Sequence, residues 1–258
     1  MTMRISVRTD HPVAVDSPDH LHPRGTAQDN SRNRRFNWKL YHLYPALDRP
    51  LRILDLGCSG GGFVSDCLRD GRVAVGLEGS DYSANWGRAE WPLLGGRCLF
   101  TADITKPFEV VSVESAGEKP LTFDVVSLWE VLEHITEKDL AAVFRNILAH
   151  LEPGGLVIAS ISSDGTLVHH QTVQDPSWWA MMFRKHGLTP VPEFVRYFAT
   201  QFIRGPKYGA AGSFHLVATN DPVRAPQVPP VRIISFVLDH LWYGSTPYWQ
   251  VRRLLGIQ

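Results

Sequence analysis

The chain has 258 residues, 44% hydrophobic and 20% charged, enough to bury one substantial core with a small appendage. Lysine plus arginine balances aspartate plus glutamate at 26 each, so no net field attracts nucleic acid or an anionic membrane. No apolar stretch reaches transmembrane length, Arg4, Arg8, Asp10 and Asp16 interrupt the N-terminus, and Cys58, Cys67 and Cys98 lack metal-type spacing, so a single-domain cytoplasmic protein in a reducing compartment is expected.

Residues 1–30 mix Pro, Asp, His, Ser and Arg without periodicity and read as a flexible N-terminal arm. RNRRFNWKLYHLYPAL (32–47) follows as a short helix ended near Pro45, its arginines forming a solvated face or capping a ligand. LRILDLGCSGGGF (51–63) then reads as a buried strand, a glycine-rich turn and a helix start. Such a turn lets a ligand approach the backbone closely, and the free amides of the helix favour an anionic group.

Further strands are expected at RVAVGLEGS (72–80), RCLFTADIT (97–105), TFDVVSLWE (122–130) and GGLVIASIS (154–162). Before the last, Leu140, Val143, Phe144, Ile147, Leu148 and Leu151 recur at helical spacing. Alternation of this kind implies a doubly wound parallel α/β sheet with ligands beyond the carboxyl ends of its strands. Those ends carry Asp55, Glu78, Asp103 and the Trp129–Glu130 pair. An acid after the second strand suits the hydroxyls of a ribose, and Asp103 suits an exocyclic amine such as that of adenine or, as the plain alternative, merely forms a turn. The G-x-G-x-x-G dinucleotide fingerprint fails in both registers: Gly57, Ser59, Gly62 in one and Gly60, Gly62, Ser65 in the other. Asp55 is awkward beside a pyrophosphate but welcome beside an ammonium, which points to S-adenosylmethionine rather than a nicotinamide cofactor.

In order and spacing, DLGCSGGGF, VGLEGSDYS, TADITKPF, FDVVSLWEVLEHI and LEPGGLVIAS resemble the successive motifs of the class I S-adenosylmethionine-dependent methyltransferases. The resemblance covers about residues 50–162. It implies a Rossmann-like sheet of seven mostly parallel strands with one antiparallel strand, for which SFHLVATN (213–220) is the candidate. Asp55, Gly57 and Gly61 match the family's D/E-x-G-x-G-x-G, whereas Ser59 replaces the middle glycine and either strains the backbone or offers a hydroxyl to the cofactor carboxylate. By resemblance, Glu78 holds the ribose, Asp103 and Ile104 border the adenine, and Trp129 and Glu130 line the transfer site.

Past the fifth strand, SSDGTLVHHQTVQDPSWW (162–179) supplies Asp164, His169 and His170, and weakly resembles members of the family that modify sugars and polysaccharides. One of the two histidines is expected to be the base for a hydroxyl acceptor, with Glu130 or Asp164 in reserve. A metal site is not expected, because adjacent side chains diverge and no third ligand is obvious. Glu133–His134 is read as fixing a loop, and the run Trp178, Trp179, Met181, Met182, Phe183 as packing on the sheet. Residues 31–220 thus form the methyltransferase domain. DPVRAPQVPP then links to an amphipathic helical segment, the two together making up residues 221–258. Its apolar residues, from Ile233 to Trp242, call for cover by the domain or a homodimer contact, with a membrane surface as the alternative. The expected function is O-methylation of a small molecule or glycan. A noncatalytic scaffold of the same fold and a nicotinamide oxidoreductase are the rivals.

Overall fold

The computed structural model describes residues 4–115, 117–208, 210–230 and 239. In chain order the strands are β1 (Arg4–Arg8), β2 (Arg52–Leu56), β3 (Val73–Glu78), β4 (Leu99–Thr101), β5 (Glu109–Glu114), β6 (Gly117–Pro120), β7 (Phe123–Trp129), β8 (Leu151–Ser162), β9 (Thr189–Pro190) and β10 (Ser213–Thr219). The helices are α1 (Pro18–Leu21), α2 (Arg24–Gln28), α3 (Arg34–His42), α4 (Gly62–Arg69), α5 (Tyr82–Asn85), α6 (Trp91–Leu94), α7 (Glu137–His150), α8 (Pro176–Lys185) and α9 (Pro192–Phe198).

Seven strands form the main sheet in the order β4-β3-β2-β7-β8-β10-β9. Pairs β4–β3, β3–β2, β2–β7 and β7–β8 are parallel, while β10 runs antiparallel to both neighbours, as the family resemblance implies. The chain leaves β2 to one side for β3 and β4 and returns on the other side at β7, which opens a crevice above the carboxyl end of β2.

Side chains alternate between the two faces of each strand. Leu54 and Leu56 on β2 and Val126 and Leu128 on β7 pack with Phe144 of α7 and Trp179 and Phe183 of α8. Ile53 and Val125 turn the other way, toward Phe36 and Leu40 of α3, Val64 of α4 and Phe194 and Phe198 of α9. The aromatic run of α8 is therefore core, with Met181 left outside at 54% exposure. Helix α3 begins where the Asn33 side chain accepts from the Arg35 and Phe36 amides, satisfying two donors that a helix start leaves open. Of the arginines in this stretch, Arg34 is solvated at 72% side-chain exposure beside Asp70, whereas Arg32 pairs with Asp66 and Glu90, and Arg35 with Asp239.

The flexible-arm reading of residues 1–30 is corrected. Strand β1 pairs antiparallel with β5, and β5 with β6, to make a second, three-stranded sheet. Beyond it the segment crosses the crevice: His11 O accepts from the Asp103 amide at 2.9 Å and the Ala14 amide donates to Gly79 O at 2.8 Å. These are main-chain bonds, open to almost any sequence, so composition gave no warning of them. The amphipathic segment expected after residue 230 lies outside the described residues except for Asp239, which is fully buried against Arg35 and Lys39. Among the described residues no helix is long and apolar enough to cross a membrane.

Candidate active site

Beyond the ends of β2, β3, β4 and β7 lies a cavity of about 840 Å³. That is within the range of small-molecule and cofactor sites, roughly 300–1,000 Å³. One end is walled by Gly57, Ser59, Glu78, Asp103, Ile104 and Trp129, the other by Glu130, His134, His169 and His170.

At the first end the glycine turn holds three residues in the left-handed region: Gly57 at φ 77°, Ser59 at 47° and Gly61 at 80°. A side chain at Gly57 would collide with Val131. Ser59 pays for its backbone angle with polar contacts. Its amide donates to Glu78 Oε2 at 2.6 Å, and its hydroxyl donates to Asp29 O at 3.0 Å and accepts from Arg88 at 2.9 Å. That hydroxyl faces the N-terminal segment, so it is not free to meet a ligand carboxylate.

Glu78 Oε1 also accepts from the Ser80 amide at 3.3 Å and the Thr26 hydroxyl at 3.4 Å. Burial dominates these bonds and pushes the carboxyl up to about 7. A carboxylate has about four acceptor positions and three are taken, so about one remains for a hydroxyl donor from the cavity. Asp103 behaves as the turn-former of the plain reading, since its Oδ1 accepts from the amide (2.9 Å) and hydroxyl (2.6 Å) of Thr105. It still reaches the wall, beside Ile104.

Asp55 and Gly61 do not line the cavity, and the expected direct contact of Asp55 with a ligand ammonium is corrected accordingly. Strand alternation and the β2–β7 register turn Asp55 beneath the turn, 2% exposed, where it accepts from the Ser127 hydroxyl at 2.6 Å. Burial raises it to about 7, against the lowering effect of that bond. Gly61 faces Leu99, which a Cβ would approach to 2.5 Å. Trp129 is core and wall together: it packs edge-on against Phe36 at 5.2 Å and Phe63 at 6.0 Å, and its buried indole N–H lies toward Asp55, whose charged form it favours.

At the second end Glu130 leaves β7 at φ 57°, so the strand breaks sharply into the cavity. Its amide donates to Ser160 O at 3.0 Å and its Oε2 accepts from Ser213 at 2.5 Å. Its Oε1 is buried and lacks a partner among the described residues. Glu133 ties the 163–175 loop to this turn: its carbonyl accepts from the Gln171 and Thr172 amides at 2.7 and 3.0 Å, and its Oε1 from the Ser162 amide at 2.9 Å. Burial, aided by the charge of Glu130, holds the Glu133 carboxyl well above the usual carboxylate range.

The expectation of no third metal ligand beside His169 and His170 is corrected. His134 faces both, and one nitrogen from each of the three rings lies within 4.8 Å of the others. Sequence reasoning also missed the roof. Asp19 approaches His134 at 2.6 Å, while Thr26 and Asp29 reach the glycine turn, and Arg204 donates to Asp29 at 2.5 Å. The available signal was Ser17-Pro18, an N-cap followed by proline, and Ser17 does accept from the His20 amide.

A family model described as a methyltransferase domain matches residues 29–201. Among curated relatives, the ubiquinone biosynthesis O-methyltransferase of Sinorhizobium fredii is 31% identical over 111 residues, 43% of this chain and 40% of that protein. The protein of the same name from Albidiferax ferrireducens is 32% identical over 130 residues, 49% and 46% of the two chains. The matched region thus spans less than half of either relative. Among solved structures, the 1,6-didemethyltoxoflavin-N1-methyltransferase of Burkholderia thailandensis, with 1,6-didemethyltoxoflavin and S-adenosylhomocysteine bound, superposes with a TM-score of 0.52 at 18% identity, covering 79% of this chain and 84% of that one. The magnesium protoporphyrin IX methyltransferase of Synechocystis PCC 6803 with bound S-adenosylhomocysteine gives 0.51 at 13% identity, covering 81% and 97%. Both likenesses establish the fold.

Proposed function

The chain belongs to the methyltransferase-domain family, and from that premise we propose that it transfers a methyl group from S-adenosylmethionine to a hydroxyl of a small molecule or glycan. The observation that carries this reading is a single cavity joining an acid-and-glycine end to a polar end with an unpartnered carboxylate oxygen and three imidazoles. The fit to the cofactor rests on donor chemistry. Glu78 retains acceptor capacity for a ribose hydroxyl, Asp103 and Ile104 offer an edge for the base, and Trp129 walls the same end. Asp55 and Gly61 frame this site from behind: Asp55 braces the turn through Ser127, and Gly61 permits the bend that starts α4.

Bound S-adenosylmethionine supplies an electrophilic methyl group on a sulfonium. The protein's task is then alignment, exclusion of water and removal of the acceptor's proton. The segment over residues 11–29 closes the crevice from above. The hydroxyl proton has three receivers within reach of the acceptor end, His169, His170 and Glu130. The likeness to ubiquinone biosynthesis O-methyltransferases favours an oxygen acceptor.

Calorimetry tests the cofactor: binding of S-adenosylhomocysteine with no response to NAD is expected, and the opposite pattern overturns the reading. Incubating the protein with methyl-labelled cofactor and a metabolite extract, followed by mass spectrometry, then identifies the acceptor. Label found only on nitrogen or carbon would refute the hydroxyl assignment.

A further inference from the structure

We propose that His134, His169 and His170 form a binding site for a divalent transition-metal ion, zinc by preference, at the acceptor end of the cavity. Their ring centroids are separated by 5.0, 4.9 and 4.9 Å, a nearly equilateral triangle. Tetrahedral zinc with Zn–N bonds of about 2.0–2.1 Å has its ligand nitrogens about 3.4 Å apart. From a separation within 4.8 Å, each nitrogen therefore moves inward by about 1 Å or less to close the site.

One imidazole is oriented from behind by a hydrogen bond, and a second rests against a carboxylate. His134 Nδ1 lies 2.6 Å from the Asp19 carboxylate and His170 Nδ1 lies 2.7 Å from the Asp164 carbonyl oxygen. A ring that donates through Nδ1–H presents the Nε2 lone pair on its other side, and oxygen acceptors in this position both orient metal-binding histidines and raise their basicity. The ligands come from two chain segments, and Glu133 joins those segments through the three hydrogen bonds described above. The segments that carry the set are thus tied together before any ion arrives.

Three neutral nitrogens suit zinc, cobalt or nickel rather than magnesium or calcium, which favour oxygen. Three protein ligands leave a fourth position, and because all three rings line the cavity, that position opens into it. Its ligand class is an oxygen donor. If the methyl-transfer reading holds, that donor is the acceptor hydroxyl, acidified by the ion, with its proton passing to Glu130 Oε1 and its oxygen keeping the electron pair. The histidines then serve as ligands rather than as the base. Only this last step rests on methyl transfer.

The test uses untagged, chelator-treated full-length protein titrated with zinc chloride by calorimetry and with cobalt chloride by visible spectroscopy. One equivalent of each ion and the absorption bands of four-coordinate cobalt are expected. His134→Gln, His169→Gln and His170→Gln should each weaken zinc binding by about 100-fold or more, and Asp19→Asn by about 10- to 100-fold with cobalt still four-coordinate. The His169 and His170 variants change an accessible loop, so loss of folding does not obscure them. Absence of stoichiometric binding, or parental affinity in any histidine variant, overturns the site. S-adenosylhomocysteine titrations on the same samples separate the two readings. Metal without nucleoside binding keeps the site and sinks methyl transfer, whereas nucleoside without metal does the reverse.

Discussion

Replacing Glu78 by glutamine separates the cost of its charge from the use of that charge. Glu78 is buried, and burial raises its carboxyl from 4.5 to about 7. Between those two pH values the folded protein binds more protons at this site than the unfolded chain does. The site's contribution to stability is therefore greatest below the unfolded value, falls as pH rises through the window and levels off above about 7. At about 1.4 kcal/mol per pH unit the full loss is about 3 kcal/mol, most of it between about pH 5 and about pH 8. Asp55 titrates in the same direction, so the wild type alone cannot isolate Glu78; the difference between wild type and Glu78→Gln can. In urea denaturation of the ligand-free proteins, the variant should gain about 2–3 kcal/mol relative to wild type on going from about pH 5 to about pH 8. Its affinity for S-adenosylhomocysteine should meanwhile drop by about 10- to 100-fold, the loss of a hydrogen bond to a charged acceptor. A wild type and variant that stay parallel across this pH range would refute the buried-charge argument. Equal nucleoside affinity would remove Glu78 from the ribose.

Gly57→Val should abolish nucleoside binding and lower the melting temperature, since the added side chain meets Val131 and the residue sits at φ 77°; calorimetry and a thermal melt read both, and parental values in both would contradict the turn geometry. Glu130→Gln should reduce kcat by about 10²–10⁴-fold with nucleoside affinity unchanged, and a parental turnover rate would exclude it from the proton path. Asp239→Asn should destabilise the fold by about 3–5 kcal/mol in chemical denaturation, because it strips the partner from Lys39, which burial already pulls below the usual lysine range; a loss under about 1 kcal/mol would show that Lys39 finds water or another partner.

Local rules carried the sheet, the glycine turn and the acids at the strand ends. Short apolar runs marked β2 and β7, helical spacing marked α7, and the cluster of glycines after Leu56 allowed a left-handed backbone, all of which depend on neighbours within a few residues. The resemblance of five successive motifs then placed Glu78 and the Trp129–Glu130 pair at one crevice. Which way a side chain turns at a strand end was another matter. Asp55 lies under the turn because its register on β7 sets it against Ser127, a pairing 72 residues apart in the chain. The roof over residues 11–29 was illegible because it is held by main-chain bonds to Gly79, Asp103 and the glycine turn and by side-chain contacts to residues far along the chain, such as His134 and Arg204, which leave no periodic mark on the sequence. The histidine triangle was half visible: His169 and His170 announced themselves as neighbours, but His134 joins them only where Glu133 bridges two loops. Sequence determines those features whose energy is local. Contacts that close long loops are decided by the packing of the whole sheet, which brings distant polar groups together only after the core has formed.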